Sequence, residues 1–163
     1  MIKLKEFGIS SGKWCYLLMR EYFIVNWWLY CIPLVACVVA GFFDFRFILV
    51  ALMILFLLIP MALYFVYVSY GLLPENRYSI IKKHAIIDEK GFELHVREEY
   101  AKNNSRDIAI AWESIDKIKI SGDFVLIFYK SGKFRFLVIP NDSFYKLDDF
   151  KEFVDLALDR LQN

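Results

Sequence analysis

The sequence predicts a membrane-spanning α-helical hairpin followed by an α+β unit of antiparallel strands and one C-terminal helix. Two uncharged stretches predict the hairpin, because residues 22–43 and 47–73 contain no Asp, Glu, Lys, Arg or His. Roughly 20 apolar residues in a helix cross a hydrocarbon core of about 30 Å. Alternating apolar residues after position 74 predict strands, and apolar residues at three- and four-residue steps after position 146 predict the helix.

Charge divides the chain in the same way. Only eight of the 39 charged residues lie in residues 1–74, and the other 31 lie in residues 75–163. We therefore expect three parts: an N-terminal strand and amphipathic helix in residues 1–21, the hairpin in residues 22–73, and a cytoplasmic domain in residues 75–163. The predicted spans cover about residues 22–43 and 47–70. The first span can instead begin nearer Trp27, which would place the aromatic residues there at the membrane interface.

Positive charge flanks both ends of the hairpin and predicts its orientation. The positive-inside rule places both termini in the cytoplasm and the turn at residues 44–46 outside. Arg77, Lys82 and Lys83 are our candidates for contact with lipid head groups, with simple topological anchoring as the alternative. The basic residues before the first span are Lys3, Lys5, Lys13 and Arg20.

A lipoprotein signal is a competing interpretation of the first apolar stretch. Leu34-Val35-Ala36-Cys37 resembles a lipobox, in which Cys37 would carry the lipid. The chain remains apolar after Cys37 and a second spanning stretch follows, which favours the hairpin. The three cysteines, Cys15, Cys31 and Cys37, all precede the soluble half and do not form a disulfide pattern.

The segments outside the apolar stretches read as short strands. Residues 1–7 predict a strand, and Ser10 and Ser11 can cap a helix that continues into the first span. Further strands are expected in residues 78–88, 92–97, 107–111, 115–120, 124–129 and 134–139. Turns are expected at Gly91 and at Ser131-Gly132, the latter as a two-residue hairpin turn, with a polar loop at residues 98–106.

The last part of the chain predicts one amphipathic helix of about four turns. Its acidic first turn suits the helix dipole, and its apolar stripe must pack on the sheet. A curved sheet or part-barrel of six or seven strands, closed at one end by this helix, follows. The stripe consists of Leu147, Phe150, Phe153, Val154, Ala157, Leu158 and Leu161.

Two short motifs place this pattern beside a known family. Trp112-Glu113-Ser114-Ile115 precedes a hairpin, and Ile139-Pro140-Asn141-Asp142-Ser143-Phe144 precedes the acidic helix. With two spans before them, these motifs resemble the YcxB-like protein family, which is similar to bacterial pleckstrin-homology-like (PH-like) membrane proteins. The resemblance implies a PH-like antiparallel part-barrel on the cytoplasmic face of a bacterial inner membrane, and it implies no catalytic residues.

The soluble half offers little for catalysis or metal binding. His84 and His95 are the two histidines, and alternation places His95 on a solvent-facing strand surface. We find no nucleophile elbow and no phosphate-binding glycine loop, and we expect no enzyme activity, metal or cofactor. Trp112 is expected to be a core or rim aromatic that holds two strands together.

The predicted role is therefore a binding or scaffold module that recognises a protein or a lipid head group. A net charge of +1 argues against nucleic acid as the partner. A second hypothesis is an accessory subunit or regulator of a membrane transport or envelope-processing complex, docked through aromatic side chains of the spans. A third is an enzyme on a membrane anchor, and a homo-oligomer is also open.

Overall fold

The computed structural model describes residues 1–71, 73–96 and 107–162, and these residues form two compact units. One unit is α+β and combines Met1–Trp14 with Leu73–Asn163. The other is helical and comprises Cys15–Leu72. The helical unit is thus an insertion within the α+β unit. The predicted loop at residues 98–106 lies outside the described residues.

The helical unit contains two helices that are long and apolar enough to span a membrane, Ser11–Gly41 and Arg46–Gly71. Helix α1, Ser11–Gly41, is continuous, so the predicted amphipathic helix and first span are one element. The second helix consists of α2 (Arg46–Met53), a π-helical turn (Ile54–Leu58) and α3 (Ile59–Gly71). In the most apolar 18-residue stretch of each helix almost no residue is buried, as expected for surfaces that face lipid, whereas Trp14, Leu17 and Leu18 near the start of α1 are buried.

Pro60 accounts for the π-helical turn. It is the second residue of α3 and lies two positions after the end of the turn at Leu58. A proline ring clashes with the carbonyl of the fourth residue before it, and a wider turn relieves that clash. At the other end of the hairpin, the Asp44 carboxylate accepts a hydrogen bond from the Arg46 backbone N–H at 2.9 Å and so fixes the link between the helices.

The first sheet has four antiparallel strands in the order β1-β2-β3-β4. They are β1 (Ile2–Lys3), β2 (Lys83–Ile87), β3 (Gly91–Val96) and β4 (Asp107–Ala111). The short β1 pairs with β2, so the strand before the apolar helices joins the strand that follows them. Of the strand predicted over residues 1–7, the structure has β1 at Ile2–Lys3, and isolated bridges extend the contacts of this segment to Leu4 and Phe7.

The second sheet has three antiparallel strands in the order β5-β6-β7. They are β5 (Ile115–Ser121), β6 (Phe124–Tyr129) and β7 (Phe136–Pro140). The predicted two-residue turn at Ser131-Gly132 is wrong. The last ladder pair is Phe128 with Phe136, and the Tyr129 N–H still bonds to the Arg135 carbonyl at 2.9 Å. The connection is therefore a five-residue loop over residues 130–134.

The C-terminal helix α5, Leu147–Gln162, closes the core between the sheets. Phe153 is fully buried and contacts Phe92 of β3 and Phe144, with ring centroids 6.1 and 5.6 Å apart. Trp112 packs on Phe92 at 4.8 Å and donates from Nε1 to the Asp88 carbonyl at 3.0 Å. The prediction of Trp112 as a core aromatic is confirmed.

Some sequence expectations need correction. The strand predicted over residues 78–88 begins only at Lys83, as β2. Residues 78–81 instead form a turn that follows the short helix α4 (Pro74–Arg77). Leu147 and Leu158 of the predicted apolar stripe are exposed. At the start of α5 the Asp149 carboxylate accepts from the Lys146 N–H at 3.2 Å, which is the half of a capping box that the third helical residue supplies.

Gly91 should tolerate no side chain. Its φ is +152°, and a Cβ there would lie 2.0 Å from the Ile110 carbonyl oxygen of β4. Gly91→Ala should therefore destabilise the α+β unit by more than about 2 kcal/mol, which lowers the melting temperature by roughly 8 °C or more. Thermal unfolding of the full chain in detergent micelles measures this.

Gly122→Ala is the matched control. Gly122 also has a positive φ, +58°, but nothing lies within 4 Å of a Cβ built there. Only the backbone strain of about 1 kcal/mol should remain. If the two variants lost the same amount of unfolding free energy, the close contact with the Ile110 carbonyl of β4 would not be what restricts residue 91 to glycine.

Candidate functional site: a cleft along the N-terminal segment

The N-terminal segment, residues 4–9, lies between two other parts of the α+β unit. On one side Phe7 and Lys83 exchange backbone hydrogen bonds of 2.9 and 3.0 Å. On the other side the Lys5 N–H bonds to the Ser143 carbonyl at 2.8 Å, and Leu4 bridges Phe144. This segment therefore connects the start of β2 to the chain that follows β7.

A cleft of about 990 Å³ runs along this segment. Small-molecule sites have volumes of about 300–1,000 Å³, so a small ligand or a lipid head group has room there. We call it the N-terminal cleft. Its lining residues are Lys5, Glu6, Phe7, Gly8, Ile9, Ser10, Lys13, Lys82, Asp123, Phe124, Pro140, Asn141, Asp142 and Ser143.

Charges of both signs line the N-terminal cleft. Lys13 and Lys82 supply cations, and Asp123 and Asp142 supply carboxylates. All four side chains are exposed, and among the described residues none of the four forms an ion pair. The Lys5 ammonium is engaged locally, donating to the Asp142 carbonyl at 3.4 Å and lying 5.6 Å from the Tyr145 ring centre. Besides Lys5 and Glu6 of the N-terminal segment, which both have interactions of their own, the cleft thus offers two cations and two carboxylates to a ligand.

The N-terminus of α1 also opens on the cleft. Ser10 precedes the helix, and its Oγ accepts a hydrogen bond from the Lys13 N–H at 3.3 Å. A serine in this position is a typical N-cap, as the sequence predicts. The positive end of the helix dipole adds to the charge of Lys13, which favours an anionic group nearby.

Lys83 has an unusual environment for a charged residue. It is fully buried, and its ammonium donates to the carbonyl oxygens of Tyr78 and Ile81, the latter at 3.3 Å. The ring of Phe7 lies 4.4 Å from Nζ. Within the described parts of the chain no carboxylate pairs with it. Burial therefore lowers the pKa of Lys83 to about 7 from its ordinary value of 10.5.

The three residues predicted to contact lipid head groups lie in three different environments. Arg77 and Lys82 are exposed, and Lys82 lines the N-terminal cleft while Arg77 does not. Lys83 is buried and bonded to carbonyl oxygens, a placement that does not fit contact with a head group. Lys82 directly precedes β2, so alternation continued by one residue points its side chain to the face opposite that of Lys83.

The free edge of β7 is closed by side chains. Asn76 donates to the Phe134 carbonyl at 3.1 Å and accepts from the Phe136 N–H at 3.0 Å. Ser79 donates to the Phe136 carbonyl at 3.3 Å and accepts from the Val138 N–H at 3.0 Å. These two buried residues take the place of a neighbouring strand, so β7 is not available to pair with a partner along this stretch.

The two histidines lie in one row across the first sheet. His84 pairs with His95, and His95 pairs with Asp107, whose carboxylate lies 2.6 Å from Nδ1 of His95. Among the described residues, no group of three or more His, Cys, Asp or Glu side chains is placed to hold a metal ion.

Several cleft residues were not predicted. Lys5 and Lys13 were assigned only to membrane orientation, and Asp123 and Asp142 were not singled out. These residues are far apart in sequence and meet only through the pairing of residues 4–9. The Asn141-Asp142-Ser143 motif was the one signal in the sequence that pointed to this place.

The chain belongs to the class of α+β proteins in which two apolar helices of membrane-spanning length are inserted after the first strand. The model of the YcxB-like protein family matches residues 97–157, which confirms the resemblance predicted from the Trp112 and Pro140 motifs. Neither a curated protein nor a solved structure matches the chain. The matched part includes Asp123 and Asp142 of the cleft.

Lys83 should make stability depend on pH. Between pH 7 and 10.5 the folded chain holds a neutral Lys83 amine while the unfolded chain remains protonated. The unfolded state then binds more protons, so stability rises with pH across this window, by up to about 1.4 kcal/mol per pH unit. The cost of burying the charge is fully present below pH 7.

Denaturation of the full chain in micelles at pH 7, 8 and 9 tests this rise. Lys83→Met should remove it, because no amine then titrates in the interior. Lys90→Met, which changes an exposed lysine in the turn between β2 and β3, should keep it. A rise that persists in Lys83→Met would assign it to another group.

Proposed function

We propose that this chain is a non-enzymatic, membrane-anchored binding module of a bacterial inner membrane. Its two apolar helices cross the bilayer as a hairpin, both termini lie in the cytoplasm, and the α+β unit recognises a lipid head group in the N-terminal cleft. The observation that carries this proposal is the insertion of two span-length helices between β1 and β2 of one sheet.

Chain topology supports the hairpin. Residues 1–14 and 73–163 belong to the same compact unit, so the chain must leave that unit and return to it. Two crossings satisfy this requirement and a single crossing does not. The basic residues at both ends of the hairpin then favour the cytoplasmic side for the unit.

The arrangement of strands supports a PH-like architecture. Seven strands among the described residues form sheets of four and three, and a C-terminal helix packs in the core between them. This arrangement is compatible with the part-barrel that the family resemblance implies. Fold alone does not identify a ligand, so the binding role depends on the cleft.

The cleft supports binding better than catalysis. A catalytic group needs a pKa matched to its task and a position beside the substrate. Burial lowers the pKa of Lys83, and burial together with nearby Glu75 and Tyr78 raises the pKa of Tyr129. Neither side chain lines the cleft. We therefore assign the module no reaction.

Exposed aromatic residues favour a second candidate, an accessory subunit that docks through its helices. Tyr64 and Phe65 of α3 are more than half exposed, as is Phe56 of the π-helical turn. Photocrosslinking from position 64 in membranes distinguishes the candidates. Capture of one membrane protein in stoichiometric yield would favour the subunit, and capture of lipid alone would favour the module.

Cysteine labelling tests the orientation. In a variant with Cys15, Cys31 and Cys37 replaced by Ser, we expect Phe45→Cys to react with an impermeant maleimide added to intact cells. Lys130→Cys, in the loop between β6 and β7, should react only after the membrane is opened. Labelling of position 130 from outside would contradict the proposed topology.

Head-group recognition has its own test. The full chain in maltoside micelles should bind water-soluble short-chain phospholipids and shift the amide NMR signals of cleft residues such as Gly8 and Ser10. The double variant Lys13→Ala/Lys82→Ala should weaken this binding about tenfold or more, because both cleft cations are lost. Lys90→Ala is the control. Unchanged binding in the double variant would exclude the cleft.

A further inference from the structure

The charges of the N-terminal cleft are arranged on opposite sides of the N-terminal segment. Lys82 directly precedes Lys83, which pairs with Phe7 on one side of the segment. Asp142 directly precedes Ser143, which bonds to Lys5 on the other side. Adjacent strands lie about 4.8 Å apart, so the two flanking lines of backbone are about 10 Å apart.

Each flank is reinforced by a second residue of the same sign. Lys13, in the first turn of α1, is the second cation that lines the cleft besides Lys82 and the locally engaged Lys5. Asp123 joins Asp142, because its carbonyl accepts a hydrogen bond from the Asn141 N–H at 2.8 Å and so holds the turn between β5 and β6 beside residues 141–142. The cleft therefore has a cationic side and an acidic side.

Side chains of opposite charge line this cleft without pairing to each other. Among the residues that the structure describes, none of Lys13, Lys82, Asp123 and Asp142 forms an ion pair. An anion alone would meet repulsion from Asp123 and Asp142, and a cation alone would meet repulsion from Lys13 and Lys82. A ligand with both charges satisfies both sides.

We propose that the N-terminal cleft binds a zwitterion of the phosphoethanolamine class, with its phosphate toward Lys13 and Lys82 and its primary ammonium toward Asp123 and Asp142. This inference rests on the proposed head-group recognition and specifies its ligand. The helix dipole of α1 adds to phosphate binding. A primary ammonium has three N–H donors for the carboxylates, which a quaternary ammonium lacks.

Selectivity among soluble phospholipids tests the proposal. The full chain in maltoside micelles is titrated calorimetrically with dihexanoyl phosphatidylethanolamine, phosphatidylcholine and phosphatidylglycerol. We expect the ethanolamine lipid to bind about tenfold more tightly than the other two. Tighter binding of phosphatidylglycerol would overturn the zwitterion proposal and leave head-group recognition standing. Binding of none of the three would overturn both.

Removing the acidic side gives the sharper result. Asp123→Asn/Asp142→Asn should lower affinity for the ethanolamine lipid about tenfold and leave affinity for phosphatidylglycerol unchanged or higher. Asp155→Asn, an exposed carboxylate on α5, is the matched control. All three substitutions change exposed side chains, so thermal unfolding should be unchanged. An ethanolamine affinity that the double variant does not alter would overturn the proposal.

Free phosphoethanolamine identifies the source of the ligand. Affinity equal to that of the lipid would support the same chemistry in a soluble metabolite, because the acyl chains would contribute nothing. Affinity at least tenfold weaker would support a membrane lipid. Phosphate and ethanolamine added separately should each bind more weakly than the zwitterion, and equal binding by phosphate alone would contradict a role for the carboxylates.

Discussion

The pairing of the N-terminal segment with β2 is the interaction on which the rest of this structure depends. Phe7 and Lys83 exchange two backbone hydrogen bonds although about 75 residues of chain separate them. Closing so long a loop from a random chain costs conformational entropy. In the proposed topology a membrane hairpin would bring its own ends together, so insertion of the helices would remove most of that cost before the sheet forms. The sheet and the hairpin would then support each other.

Burial of Lys83 at the start of β2 has a free-energy cost, and its amine satisfies two backbone carbonyl groups there. Residues 78–81 form a turn that delivers the chain to β2, and a turn leaves backbone carbonyl groups without ladder partners. Lys83 donates to the carbonyls of Tyr78 and Ile81. A neutral amine still has two N–H groups for these two acceptors. An apolar residue would avoid the burial cost and leave both carbonyls unsatisfied.

The sequence predicted the elements that depend on local pattern and missed those that depend on distant contacts. Alternation correctly placed Phe92, Leu94 and Val96 in the core. The uninterrupted apolar runs of β6 and β7 are typical of strands that are buried on both faces. Trp14, for example, covers Phe136 of β7, with ring centroids 6.1 Å apart. Asn76 and Ser79 gave no signal, since a polar residue that closes a strand edge looks like any other loop residue.

The candidate site was hidden for the same physical reason. Lys82 and Lys83 look alike in sequence, and only the register of β2 decides that one faces the cleft and the other the interior. Asp142 and Lys13 acquire a shared role because residues 4–9 hold their segments together. A ligand between those segments would bind only the folded arrangement and would stabilise it by mass action. Its binding free energy would then add to the Phe7–Lys83 closure, so recognition in the cleft and the attachment of the helices to the sheet would be thermodynamically linked.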